Sequence, residues 1–78
     1  MTESLNSIIS SIFIINSNEI NDKINLQDLD TWDSMNHMVL IAELEDAFNI
    51  QFTGDEIADI KSILDIKVIL KAKGIDNL

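Results

Sequence analysis

Apolar residues recur along the chain at helical rather than strand spacing. Leu5, Ile8, Ile9, Ile12 and Phe13 fall at i, i+3, i+4, i+7 and i+8, one face of an amphipathic helix. This predicts a first helix over residues 3–15, with Thr2 or Ser4 as its cap and an end near Asn16. Residues 16–33 form a polar, Asn- and Asp-rich connection in which Ile20, Ile24, Leu26 and Leu29 stand as isolated apolar anchors. A connection this long is uncommon in a small domain unless it is functional or pinned to the core. The four aliphatic residues predict that it is pinned.

A second helix is predicted over residues 34–48. Advancing 100° per residue puts Leu40, Ile41, Leu44 and Phe48 on one stripe, the core face, with His37 at its N-terminal end. Met35, Met38, Val39 and Ala42 lie on nearly the opposite side, continued lower down by Glu43, Glu45 and Asp46. A small bundle buries one helix face and seldom both, so this second stripe is expected to be an exposed recognition surface, with flexible Met side chains suited to several partners. Thr53 followed by Glu56 has capping-box spacing and opens a short third helix over residues 54–60. Ser62 with Asp65 repeats the signal for a fourth helix whose core face is Ile63, Ile66, Ile69 and Leu70, and which ends before Gly74. With no proline and no alternating segment, the pattern predicts an all-α fold. It is a small four-helix bundle, three longer helices and a short third, in a single domain over residues 1–78, with a long loop between helices one and two.

Charge sharpens this picture. Fourteen acids against five lysines give a net charge of −9, which disfavours nucleic acid and favours basic protein surfaces reached by electrostatic steering. Residues 1–60 carry −11 and residues 61–78 carry +2, so the acidic partner surface is expected before residue 61. The chain has no cysteine and one histidine, which removes disulfides, thiolate metal sites and His-rich metal sites from consideration. No apolar run reaches the roughly 18 residues of a membrane span and no basic leader opens the chain, so the expectation is a soluble, cytoplasmic protein; a monomer is expected as well.

Two constellations invite a chemical reading. Asp33, Ser34 and His37 are the residue types of a hydrolase triad, but Ser and His sit one turn apart on one helix, the Asp adjoins the Ser, and no Gly-rich turn offers oxyanion donors. Asp28, Asp30 and Asp33 suggest a calcium loop, yet the EF-hand spacing fails where it needs Asp or Asn, Gly and Glu, at Trp32, Asp33 and Val39. No catalytic and no metal-binding residue is therefore assigned. His37 reads as a packing or hydrogen-bonding residue and Trp32 as a hydrophobic clamp on the start of helix two. What remains is Ser34, following Asp33 at a helix start and exposed at the tip of a rigid element.

Trp32-Asp33-Ser34-Met35, followed by the pattern Leu40-Ile41-x-x-Leu44-Glu45-Asp46-x-Phe48, resembles the start of the second helix in the acyl carrier protein family. The resemblance extends over nearly the whole chain, through length, acidity, the long first connection and the short helix from Phe52 to Ile60. It implies that Ser34 carries 4′-phosphopantetheine, transferred from coenzyme A by a phosphopantetheinyl transferase that recognises Asp33. It implies, too, that the chain is no enzyme and that the arm's terminal thiol bears cargo as a thioester, which accords with a chain lacking cysteine. Met35, Met38, Val39, Ala42, Glu43, Glu45 and Asp46, extended by Asp55, Glu56 and Asp59, match the face that the family presents to basic patches on partners, here an acyl- or aminoacyl-loading ligase and a downstream transferase or synthase. Trp32 before the Asp-Ser pair and Val39 in place of an acid depart from fatty-acid carriers. Trp32-Asp33-Ser34-Met35 followed by Asn36 and His37 resembles stand-alone carriers of specialised pathways, which load amino acids or short acyl groups for surface polysaccharide or secondary-metabolite assembly. The rival from another class is an acidic helical interaction module without a prosthetic group.

Overall fold

A computed structural model describes residues 5–75. Its helices are α1 (Leu5–Phe13), α2 (Ser34–Phe48), α3 (Gly54–Asp59) and α4 (Ile63–Ala72), with no strand among the described residues. The expected all-α bundle of three longer helices and one short one is therefore the observed fold. One core holds Leu5, Ile8, Ile9 and Phe13 of α1, Leu40, Ile41 and Leu44 of α2, and Ile63, Ile66 and Leu70 of α4. Phe48 and Ile69, placed on core faces by the periodicity, are only half-buried and pack at the margin of that core.

The long connection is pinned, as its aliphatic residues predict. Leu26 is fully buried, while Ile20, Ile24 and Leu29 pack against the core from outside. The backbone adds ties that no apolar pattern signals. Leu26 N–H donates to Lys61 O at 2.8 Å, and the carbonyls of Ile24 and Asp22 accept from the N–H groups of Ile63 and Leu64 at 3.0 and 3.1 Å. Those two donors belong to the first turn of α4, where helix N–H groups have no intrahelical acceptor, so the connection satisfies what the helix leaves open. Lys67 Nζ fastens the same place from the side, 2.6 Å from Asp22 Oδ1.

Helix one stops at Phe13, two residues before the expected end, and the expected cap at Thr2 or Ser4 lies outside the described residues. The physical cause of the early stop is Ile14, which adopts a left-handed backbone with φ 54°. Ile15 N–H then reaches back to Ser10 O at 3.3 Å, the six-residue closure of a Schellman end. Helices α2 and α4 close in the same way, with Asn49 (φ 55°) and Gly74 (φ 94°) as the left-handed residues. Asn and Gly announce such an end in a sequence, and Ile does not.

Both predicted capping boxes form. Thr53 Oγ1 accepts from Glu56 N–H while Glu56 Oε1 accepts from Thr53 N–H, and Ser62 and Asp65 repeat the exchange. Hydrogen bonds from Ser62 N–H and Lys61 N–H hold the Asp65 carboxyl below its ordinary value of 3.8. A depressed carboxylate stabilises the fold above the pH where the unfolded chain titrates, and that contribution disappears as pH falls through the lower folded value. Asp65→Asn should therefore be less stable than the parent at neutral pH, by a few tenths to about 1 kcal/mol for a solvent-screened cap. The gap should narrow as pH falls below about 5 and close once pH has fallen past the lowered folded value, as measured by urea unfolding at each pH.

Candidate attachment site at the start of helix two

Asp33 has an extended backbone (φ −152°, ψ 174°), and its Oδ1 accepts from Asn36 N–H at 2.7 Å. Asp33 is thus the cap of α2, and Ser34 is the first helical residue. This division of labour matters, because a serine acting as the cap would spend its hydroxyl oxygen on the helix backbone. Ser34 is exposed, and its Oγ makes no hydrogen bond to any described residue. It stands at the positive end of the dipole of a 15-residue helix.

The residues around Ser34 are tied down on both sides. On one side Thr31 Oγ1 donates to Phe13 O at 2.6 Å, the end of α1, and Asn36 Nδ2 donates to Thr31 O at 2.8 Å. On the other, Trp32 Nε1 donates to His37 Nδ1 over a long 3.4 Å, and His37 Nε2 lies 3.0 Å from Ile57 O of α3. A carbonyl can only accept, so Nε2 carries the proton and Nδ1 is the acceptor, which fixes the neutral tautomer. The Trp32 and His37 rings meet edge to face, with centroids 6.0 Å apart and planes at 68°. Both imidazole nitrogens are engaged away from Ser34, so this geometry supplies no base to activate the serine and the triad chemistry has no footing. Among the described residues no group of three or more His, Cys, Asp or Glu is placed to hold a metal ion.

The outward stripe of α2 faces solvent. Met35 is 76% exposed, Met38 52% and Val39 40%, while Ala42, Glu43 and Asp46 are exposed beside them. Asp55 and Asp59 of α3 are exposed as well. Two of the acids assigned to this surface are committed to the fold. Glu45 is half-buried, with Oε2 accepting from Phe52 N–H at 2.8 Å. Glu56, the reciprocal member of its capping box, also pairs with Lys73 Nζ at 2.9 Å. The Thr53 N–H bond first, and Lys73 after it, hold the Glu56 carboxyl below its usual range. The capping box signals the role of Glu56 in the sequence; nothing in the sequence signals that of Glu45. The roles of Thr31 and Asn36 are not legible in the sequence, because their partners are backbone carbonyls, which carry no residue-type signature.

A family model described as the phosphopantetheine attachment site matches residues 3–67. The chain belongs to the acyl carrier protein family. The fold agrees. A proposed acyl carrier protein from Mycobacterium tuberculosis superposes with a TM-score of 0.81 at 28% identity, covering 88% of this chain and 92% of that one. The holo acyl carrier protein of Geobacter metallireducens, determined in solution, gives 0.70 at 28% identity, covering 92% and 90%. Comparison with curated proteins returned no match. As a member of a family of carriers this protein is not an enzyme, and its cofactor is covalent 4′-phosphopantetheine. The start of α2 fits that group, since an exposed, uncommitted hydroxyl at a helix N-terminus is a site where a phosphodiester gains from the dipole and from free N–H groups. No helix among the described residues is long and apolar enough to cross a membrane.

Proposed function

We propose that this carrier protein, acting as a single cytoplasmic domain and as a monomer, bears its 4′-phosphopantetheine on Ser34 and shuttles acyl or aminoacyl intermediates between biosynthetic enzymes. The observation that carries the assignment is the uncommitted Ser34 hydroxyl at the head of α2, beside a cap, Asp33, that relieves it of any structural duty. In the loading step Ser34 Oγ attacks the pantetheine-linked phosphorus of coenzyme A, its proton passes to the transferase, and adenosine 3′,5′-bisphosphate leaves. The thiol brought by the group then holds cargo as a thioester. Asp33 is the residue of this chain that the transferase recognises beside the serine.

Partners dock on Met35, Met38, Val39 and Ala42, steered by Glu43, Asp46, Asp55 and Asp59, with Glu45 and Glu56 adding charge from positions their hydrogen bonds hold fixed. Their complementary surfaces are basic. Rim charges of this kind mainly raise the association rate, which suits a carrier that must also leave quickly. Trp32 and Val39 support cargo of the specialised kind, aminoacyl or short acyl, loaded by a dedicated ligase. Protein isolated from its native cell and measured by intact mass before and after neutral hydroxylamine tests the shuttle directly. A population heavier than the bare pantetheinylated chain should collapse onto it, because hydroxylamine cleaves thioesters. Extra mass that survives the treatment would contradict thioester carriage.

A further inference from the structure

We infer that His37 is a positioning residue that fastens Trp32 and α3 to the first turn of α2, and thereby holds Ser34 in the pose the modifying transferase accepts. The inference rests on the assignment of Ser34 as the attachment residue. Helix α3 has six residues and buries none of them fully; its own apolar hold on the core is half-buried Ile57, with buried Phe52 and Ile60 on either side of the helix. Ile57 lies in its last turn, where carbonyl groups have no intrahelical donor, and its carbonyl receives the His37 Nε2–H at 3.0 Å. His37 therefore closes the end of α3 from a different helix. Its other nitrogen receives the indole N–H of Trp32, two residues before Ser34. Three pieces of chain separated in sequence thus meet on one half-buried ring, and each of its polar atoms has a partner.

This use demands one acceptor and one donor on opposite sides of a flat side chain. An aliphatic replacement would fill the space yet leave the Trp32 N–H and the Ile57 carbonyl without partners in a partly dry setting, which favours a rearranged loop and a displaced α3. Glutamine keeps both functions, an amide oxygen to accept and an amide nitrogen to donate. If only a fraction of molecules then hold Ser34 correctly, apparent affinity for the transferase falls by that fraction while turnover of bound molecules is kept.

The test uses the apo full chain as wild type, His37→Gln and His37→Leu, with Trp32→Phe as the variant that removes only the indole donor. Backbone and indole N–H resonances are recorded together with transferase kinetics, at a temperature where circular dichroism shows each variant folded. In His37→Leu the signals of the single indole, of Ser34 and of residues 54–59 should shift together. Its KM for the carrier should rise about tenfold, with kcat within a factor of about two. Glutamine should restore both readouts to within about threefold of wild type, and Trp32→Phe should shift Ser34 while leaving residues 54–59 in place. A His37→Leu chain with wild-type resonances at Ser34 and in α3, or one that loses kcat at unchanged KM, would overturn the inference. Wild-type protein that gains no group would refute the Ser34 assignment instead, and the resonances would still decide whether His37 couples the three segments.

Discussion

Leu26→Ala is expected to remove about 2–5 kcal/mol of folding free energy, the usual cost of a fully buried leucine truncated in a packed core. A chain of 78 residues has only about 4–12 kcal/mol in total, so the change should bring the protein close to its unfolding threshold. The reason lies in what Leu26 holds. It is the only residue of the long connection that is fully excluded from water, and its own N–H is bonded to Lys61 O at the approach to α4. Losing the side chain opens a cavity and weakens the anchoring that leaves the 22–24 segment capping α4. Denaturant unfolding should show a lower midpoint with an unchanged slope. An unfolding free energy within about 0.5 kcal/mol of wild type would mean that the connection lies on the core without contributing to it.

Ile14→Gly should act in the opposite direction. Ile14 holds a left-handed backbone at φ 54° and is 80% exposed, so the substitution relieves strain and gives up little burial. A left-handed L-residue costs about 1–2 kcal/mol, and more when β-branched, while glycine gives back about 0.4–1 kcal/mol through a freer unfolded chain. The net expectation is a gain of roughly 1 kcal/mol, or about 4–8 °C in thermal midpoint for a domain of this size. Asn49→Gly is the internal control. It occupies the same conformation at φ 55°, but asparagine tolerates it, and the midpoint should hardly move. Equal responses at the two positions would show that the left-handed turn after α1 is not strained by its isoleucine.

Ile14 also marks where reading the sequence stops short. The core stripes of α1, α2 and α4 are visible in apolar spacing because burial follows periodicity, and the two capping boxes are visible because their residue types are specific. The end of α1 is invisible, since its left-handed residue is of the wrong type and its closure is made by backbone. The same holds around Ser34. That a serine heads α2 beside an acidic residue can be read directly, whereas the assignment of the cap to Asp33 rather than Ser34 depends on a backbone angle and a 2.7 Å bond. Trp32 and His37 read separately as a clamp and a packing residue. Only their hydrogen bonds to each other and to Ile57 O show them as parts of one tie. Glu45, placed by helical projection on the outward face, turns inward because Phe52 N–H needs an acceptor at the bend after α2.

The proposed carriage of cargo depends on Ser34 as the residue that takes the prosthetic group. Coexpression with a broad-specificity phosphopantetheinyl transferase, followed by intact mass of the wild-type chain and of Ser34→Ala, tests it most directly. Wild type should gain a single phosphopantetheine mass, and Ser34→Ala, folded to the same helical content, should gain none. A wild-type chain that stays unmodified, or a Ser34→Ala chain that still acquires the group, would contradict it.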